Sequence, residues 1–371
     1  MRCCDHRRLA LAFVVGLASP SLLPGQLAPA TALSDEEFTR ILSVRELADG
    51  RVLVSDDREN RLVVVDLRSG AVRTLGRLGR GPGEFEQPDR LLATRGDSTL
   101  MRDRANSRRW TLIVGDSVAG TIPPDDPTVL ATAGSLVGAD SRGYVLARRP
   151  GPLADLGGGR ARASSAVLRV DRATGRADTI AQVRGTTVAA GTTPSGSTTT
   201  RANFILVFSV VDQAVLFPDG WVAIAYADPY RVDWHPPNAA VVRGDPIPWT
   251  PVRVTAEEKQ FWHDRMMEDA GTDRPFDFSG TPFADEIPPF RSQGLWPAPD
   301  GALLIHRERS RAAPGNDYEI IDRRGARVGT LRLPASERIV GFGAAAVYVA
   351  VKDDDGIERL RRHPWRAGAP R

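Results

Sequence analysis

The chain has 371 residues, 42% hydrophobic and 26% charged, a globular composition that excludes wholesale disorder. Both cysteines, Cys3 and Cys4, fall in the first thirty residues, so the remainder has no disulfide framework, cysteine nucleophile or thiolate metal site. Removing residues 1–30 takes away three arginines and Asp5, lowering the formal charge from +3 by two to +1, too near neutral for nucleic-acid binding.

Residues 1–30 read as an export signal peptide. Arg2, Arg7 and Arg8 form its basic region, and Leu9 to Leu23 is an apolar run too short for a comfortable membrane span. Ala28-Pro29-Ala30 and Ala30-Thr31-Ala32 are small-x-small cleavage signals, predicting a mature chain that starts near Thr31 or Leu33. The expected location is secreted or periplasmic, by a general or a twin-arginine route. The mature chain, 31–371, reads as a single domain with no membrane span.

From Val44 to Leu75 the pattern is strand, turn, strand. The stretch Gly76 to Pro88 follows, with Gly79, Gly81 and Gly83 alternating ahead of Phe85. Glycine suits a tight crossing between two small sheets, with Phe85 as a plug and Pro88 opening the next strand. A phosphate cradle is the rival reading, but Glu84 and Glu86 stand where a P-loop needs Lys-Ser or Lys-Thr.

A turn followed by a β-rich strand recurs along the chain. It appears at Asp49-Gly50, Arg95-Gly96-Asp97, Arg142-Gly143, Asp219-Gly220, Asp300-Gly301 and, degenerately, Gly341-Phe342-Gly343. Successive glycines are 46, 47, 77, 81 and 42 residues apart, near a propeller-blade repeat apart from two intervals enlarged by insertions. Asp…Gly hairpin turns such as Asp66–Gly70, Asp171–Gly175 and Asp322–Gly325 then lead to a fourth strand. The pattern predicts an all-β fold, a six-bladed β-propeller of four-stranded antiparallel blades. Leu42 to Leu47 is the expected first inner strand. Glu36 to Ile41 are the candidates to complete the last blade beside Glu358 to Arg362.

The stretch Gly79-x-Gly81-x-Gly83-x-Phe85-x-x-Pro88 resembles the NHL-repeat linker. Asp57-x-x-Asn60-Arg61-Leu62 and Asp103-x-x-Asn106-x-Arg108 resemble the turn of that repeat. The layout is similar to secreted bacterial six-bladed propellers of the NHL-like superfamily. The resemblance implies the fold but no single activity, because propellers host binders, scaffolds and enzymes.

Three insertions stand out, near 150–163, 185–201 and 234–280. Pro150 to Ala163 and Gly185 to Arg201 are rich in Gly, Ser, Thr and Pro and read as mobile loops. In the third, Thr255-Ala256-Glu257-Glu258 is a capping box and Gly271 a stop, predicting a helix over Ala256 to Ala270. It is either a clip over a blade edge or a ligand lid.

Propeller chemistry comes from inner strands lining the channel. The candidates there are Arg45, Glu46, Asp89, Arg90, Asp212, Gln213, Arg291 and Gln293, which a wet channel would also need. Lactonase-like propellers hold calcium with Asn, Asp and Glu oxygens at such positions, so the resemblance makes calcium a possible cofactor. Arginines interleaved with the acids oppose a divalent cation. The mature histidines His235, His263, His306 and His363 show no converging spacing for zinc. No G-x-S-x-G elbow occurs, and Asp353-Asp354-Asp355-Gly356 reads as a hairpin turn. Trp221, Tyr226, Tyr230, Trp234, Trp249 and Trp262 read as packing between blades or as a stacking face.

Two functions follow. One is a non-catalytic binding module for an extracellular ligand or protein, held on one face between the third insertion, with Trp234 and His235, and Arg45, Arg90 and Arg291. The arginines favour an acidic or carboxylate-bearing partner. The other is a metal-dependent hydrolase or lactonase.

Overall fold

Segments such as Val52-Leu53-Val54 and Leu62-Val63-Val64-Val65 are apolar at consecutive positions, so these strands bury both faces. In the computed structural model they do so between neighbouring sheets. The described residues are 24–81, 83–105, 109–123, 125–132, 136–195, 198–270 and 280–365.

Six sheets form the ring, each built outward from an inner strand. Blade 1 is Ile41–Glu46, Val52–Asp56, Arg61–Val65 and Val72–Thr74. Blade 2 is Pro88–Ala93, Ser98–Asp103, Trp110–Val114 and Ser117–Ile122. Blade 3 begins at Leu136–Ala139 and blade 4 is Gln213–Leu216, Val222–Ala227, Tyr230–His235 and Val242–Arg243. Blade 5 is Leu295–Pro297, Leu303–His306, Asn316–Ile321 and Arg327–Leu333. Blade 6 is Glu337–Phe342, Ala346–Lys352, Glu358–Pro364 and, from the other end of the chain, Ala32–Leu33. The chain is a six-bladed β-propeller, and every turn-strand marker introduces the second strand of a blade.

The hydrophobic core is a ring of six clusters, one at each blade interface. Phe38, Val44 and Tyr348 pack between blades 6 and 1, whereas Phe85, Leu91 and Met101 pack between blades 1 and 2. Trp110 and Val145 fill the next interface, and Leu146 and Ile224 the one after. Trp234 and Ile305 join blades 4 and 5, and Tyr318 and Val349 join blades 5 and 6. Phe85 is the expected plug, and Gly76 is needed because a Cβ there would lie 2.7 Å from its ring.

Closure uses the N-terminal segment, but four residues upstream of the expected start. Ala32 and Leu33 pair with Arg362 and Arg361, and Phe38 alone of the expected strand bridges Glu358. Ile41 already belongs to blade 1, so the chain needs residues 34–40 to travel from the rim to the channel. Further back, Pro24–Gly25 runs parallel to the outer strand of blade 5, and the Ala28 carbonyl meets His363 Nδ1 at 2.8 Å. The apolar run expected to belong to an export signal, Leu9 to Leu23, lies outside the described residues, as do Gly271, Asn106 and Arg108.

The insertions correct one expectation. Pro150 to Ala163 and Gly185 to Arg201 are not loops. Tyr144–Gly157 pairs with Arg160–Asp171, and Ala177–Ser195 pairs with both that strand and Thr198–Ile205. Threonines and small residues on alternate positions suit paired strands, and Gly158 and Gly159, both with positive φ, turn the first hairpin. Composition alone concealed this. A short helix, α1 (Pro127–Thr132), was also not foreseen, although Asp126 ahead of Pro127 is a start signal and its carboxylate accepts Thr128 N at 2.8 Å. Helix α2 (Ala256–Ala270) forms where expected, with Thr255 Oγ1 accepting Glu258 N at 3.4 Å.

Buried carboxylates fasten the linkers to the blades. Asp103 accepts the backbone N–H groups of Glu86, Gln87 and Ala105 at 2.9, 3.0 and 3.1 Å. Asp56 takes Thr39 N at 2.9 Å, and Glu358 takes Ile41 N at 2.7 Å. Three charge-assisted bonds at a fully buried site predict that Asp103→Ala lowers unfolding free energy by about 3 kcal/mol or more. Urea denaturation checks this, with a loss below about 1 kcal/mol counting against the clip.

His306 is a second stability element. Its ring stacks on Tyr318 at 4.4 Å, and Nε2 meets Asn316 Oδ1 at 2.9 Å. Burial holds its pKa well below the ordinary 6.5, with the charge of Arg291 adding to the effect and Asn316 opposing it. The folded state therefore binds fewer protons than the unfolded chain, and His306 contributes stability above about pH 6.5 that is lost as pH falls through that value. His306→Asn is expected to flatten the fall in midpoint between about pH 7 and pH 5. Identical pH slopes for the two proteins would refute it.

Candidate functional site

Each inner strand starts on the face where the interblade linkers cross, here termed the linker face, and ends at the short turns on the other. This direction sorts the candidate residues. Arg90 is the third residue of its strand, and Arg291 and Gln293 precede the inner strand of blade 5, so all three belong toward the linker face. Arg45 and Glu46 end the inner strand of blade 1, at the turn face.

The linker-face end of the channel holds the densest polar arrangement. Arg90 reaches across the ring from blade 2 to blade 5, where Nη2 donates to the Gln293 carbonyl at 2.8 Å. Its guanidinium lies 5.0 Å from the centre of the Trp296 ring, a cation–π contact. The receiving turn, Arg291 to Gly294, is pinned at several points. Gln213 of blade 4 donates to Arg291 O at 2.7 Å and accepts Gly294 N at 3.2 Å. Gln293 holds φ at 58°, an uncommon conformation for a residue with a side chain, and Gly294 N closes the turn onto Arg291 O at 3.2 Å.

Positive charge gathers here. Burial lowers the pKa of Arg90, Asp89 pulls it back up, and the charges of Arg291 and Arg338 lower it further. Asp89 is engaged by Arg102 at 2.6 and 2.9 Å, and Arg338 is paired with Glu358 at 2.7 Å. Arg291 is half-buried, and among the described residues its guanidinium has no hydrogen-bond or ion-pair partner. Arg90 Nε is buried and likewise without one.

The other candidates are committed elsewhere. Arg45 donates to Gly96 O at 2.9 Å in the turn of blade 2, so it does not join Arg90 and Arg291 on one face. Glu46 ties blade 1 to blade 6 by accepting the Tyr348 hydroxyl and Ala344 N, the latter at 3.1 Å. Asp212 accepts Arg184 N at 2.8 Å and Ala227 N at 3.1 Å. Trp234 is fully buried between blades 4 and 5, which overturns its expected place on a ligand face. Strand alternation puts Tyr230, Val232 and Trp234 on one side, and that side meets blade 5. His235 points the other way, in the third strand of its blade and away from the channel. Burial lowers its pKa, with Asp233 opposing and Arg169 adding.

These donor sets do not fit calcium. The carboxylates of Asp89, Asp212 and Glu46 are each held by arginine, tyrosine or backbone donors, and the channel adds unpaired positive charge. Among the described residues no three His, Cys, Asp or Glu groups converge on a metal position. The glycine linker has its own internal anion. Glu84 Oε2 accepts Gly81 N at 2.6 Å, and Arg77 pairs with Oε1 at 2.5 Å. A carboxylate of the chain fills the cradle that a phosphate would need.

On the linker face, α2 follows blade 4 and rests on the second-to-third-strand loops of blades 5 and 6. Arg265 pairs with Glu308 at 3.2 Å, Glu258 accepts Arg311 N at 3.1 Å, and Glu268 pairs with Lys352 at 2.9 Å. Trp262 meets Phe283 edge-on at 5.3 Å. Only Glu258 is buried among the helix residues whose burial is described. A cleft of about 330 Å³ opens beside α2, lined by Arg253, Lys259, Phe283, Asp285 and Glu286. Two channel residues escaped sequence reasoning, Trp296 and Arg338. Arg338, paired with Ala350, lies near the level of Arg90, which was the available signal, whereas Trp296, paired with Leu304, matches the register of Arg45 with Leu53.

No family model matches the chain, and no curated protein matches it. Solved structures are similar in fold. A calcium-binding protein, regucalcin, from Agrobacterium tumefaciens is 11% identical, with a TM-score of 0.41 over 93% of this chain and 98% of that one. Virginiamycin B lyase from Staphylococcus aureus is 8% identical, with a TM-score of 0.39 over 90% and 99%. A candidate exported protein of Bacteroides fragilis is 10% identical, with a TM-score of 0.42 over 92% and 94%. Identities and scores this low bring no activity across. What the blades and the N-terminal closure establish is the layout of a six-bladed β-propeller.

Proposed function

We propose that this chain is an exported, non-catalytic binding propeller that receives an acidic ligand on its linker face, over the channel mouth. One observation carries the reading: the elaboration is one-sided. Helix α2, the two-stranded ribbon of Val252–Arg253 and Glu286–Ile287 beside it, and the tall hairpins of blade 3 all grow from linkers or second-to-third-strand turns, which open on that face. Among the described residues the opposite face carries tight turns and the N-terminal segment that meets His363. Rigid scaffolds place recognition on such elaborated loops. The floor they surround is basic, through Arg90 and Arg291. Helix α2 is fastened by ion pairs rather than by a buried apolar face, so its removal leaves the six interblade cores intact.

The test replaces residues 255–279 with a short Gly-Ser linker and measures binding of a fluorescein-labelled oligo-glutamate peptide by anisotropy. The shortened protein should stay folded and bind about tenfold more weakly, a loss of about 1.4 kcal/mol. Equal binding makes α2 a clip only, and no binding by the intact protein sinks the acidic-ligand reading.

Export supplies a second check. The strand Ala32–Leu33 completes blade 6, so a cut after Ala30 preserves it and a cut after Ala32 halves it. N-terminal sequencing of exported protein should therefore find Thr31. A start at Leu33 would show that closure does not depend on this strand.

A further inference from the structure

Two arginines come together at the linker-face end of the channel, because Arg90 donates to the turn that carries Arg291, and neither has a carboxylate of its own. Asp89, the acid adjacent to Arg90 in sequence, is taken by Arg102, and Glu358 is taken by Arg338. Arg90 is nevertheless fixed: Trp296 lies under its plane and the Gln293 carbonyl binds one nitrogen. Arg291 stands on a turn whose backbone Gln213 locks from blade 4. Fixing an arginine in place usually serves a paired contact, because its planar fork matches an oxyanion through two parallel hydrogen bonds. Here the Arg90 fork is held in place, the Arg291 fork stands free on a pinned turn, and the protein spends its acids elsewhere. Arg338, neutralised by Glu358, flanks the pair.

We infer that Arg90 and Arg291 form a built oxyanion site on the channel axis, and that its occupant is a carboxylate group of the ligand. The inference rests on the ligand-binding reading above and sharpens it. It moves recognition from the aromatic residues of blade 4 to the axis, and it leaves Arg45 out. A carboxylate seated between the two guanidiniums relieves their mutual repulsion and gives Arg90 Nε the acceptor that the protein withholds. The bound group must be terminal or protruding, because the turn Arg291–Gly294 and Trp296 occupy the channel beneath it.

The experiment titrates sodium acetate and, separately, sodium phosphate into the full propeller at constant ionic strength, following the unfolding midpoint. Acetate is expected to raise the midpoint saturably. Arg291→Gln should weaken that apparent affinity about tenfold or more, the loss of one charge-assisted pair. This variant folds normally, since the Arg291 side chain holds no other described group. Arg291→Lys, which keeps the charge and loses the fork, should recover only part of the effect. Arg95→Gln, an exposed arginine in the opposite turn of blade 2, should change nothing. Saturation by phosphate alone overturns the carboxylate assignment. No saturable effect, or the same effect in Arg291→Gln, overturns the site. Oligo-glutamate binding that survives such a result leaves the broader reading standing, whereas its absence with acetate binding intact sinks the broader reading and keeps this site.

Discussion

Everything in this molecule depends on closing a ring. No blade owns a core: each of the six apolar clusters is shared between two sheets, and the cluster of Phe38, Val44, Tyr348 and Leu360 exists only if the first blade meets the last. Burying one such side chain contributes about 1.5–3 kcal/mol, so an open ring forfeits a whole interface and exposes a sheet edge besides. The chain secures that interface covalently distant but physically direct, with Ala32–Leu33 on the outer edge of blade 6 and Glu358 holding Ile41 N. Glu46 and Tyr348 form the corresponding tie at the opposite end of the same seam.

Linkers in a ring of this kind must cross between sheets without spare length, and buried carboxylates set their path. Asp56, Asp103 and Glu358 each sit in a blade and bind backbone N–H groups of the segment arriving beside it. An acid is well suited to this, because one carboxylate satisfies two or three donors that the turn cannot pair internally. Glu84 does the same within the glycine linker. The arginine-rich composition is absorbed in large part by these and other acids, which leaves Arg90 and Arg291 conspicuous.

The fold was legible because its signals are local and repeated. A glycine turn, Asp-Gly in three blades, followed by an apolar strand marks the same place in every blade, and the capping box at Thr255 marks α2. The hairpins of blade 3 were not legible, since Gly-Thr-Ser sequences suit flexible loops and paired strands alike, and only the partner strand decides. The closing strand was misplaced for a similar reason: Ala32-Leu33 carries too few residues for a periodic pattern. Site residues were harder still. Arg90, Gln213, Arg291 and Gln293 are separated by up to 203 positions, and spacing along the chain says nothing about which inner strands face each other. Arg45 and Glu46 share the inner-strand pattern with Arg90 but lie at the other end of the channel. Position within the strand, not merely membership of it, separates the two groups.

Trp234 shows how chemistry and architecture compete for one residue. Its sequence neighbourhood, beside His235 and ahead of a long insertion, suits an exposed recognition aromatic. The alternation of its strand sends Tyr230, Val232 and Trp234 toward blade 5, where Arg323 also lies 6.0 Å from its ring. The interface cannot be filled any other way without leaving the space of an indole empty, a cost of several kcal/mol. Packing therefore claims the aromatic, and what remains for a ligand is the residue type that packing uses least well. Arginine can line the axis because it keeps one edge wet while its stem and plane rest on apolar neighbours, as Arg90 does on Trp296. The channel is thus lined by charges that the blade interfaces did not absorb.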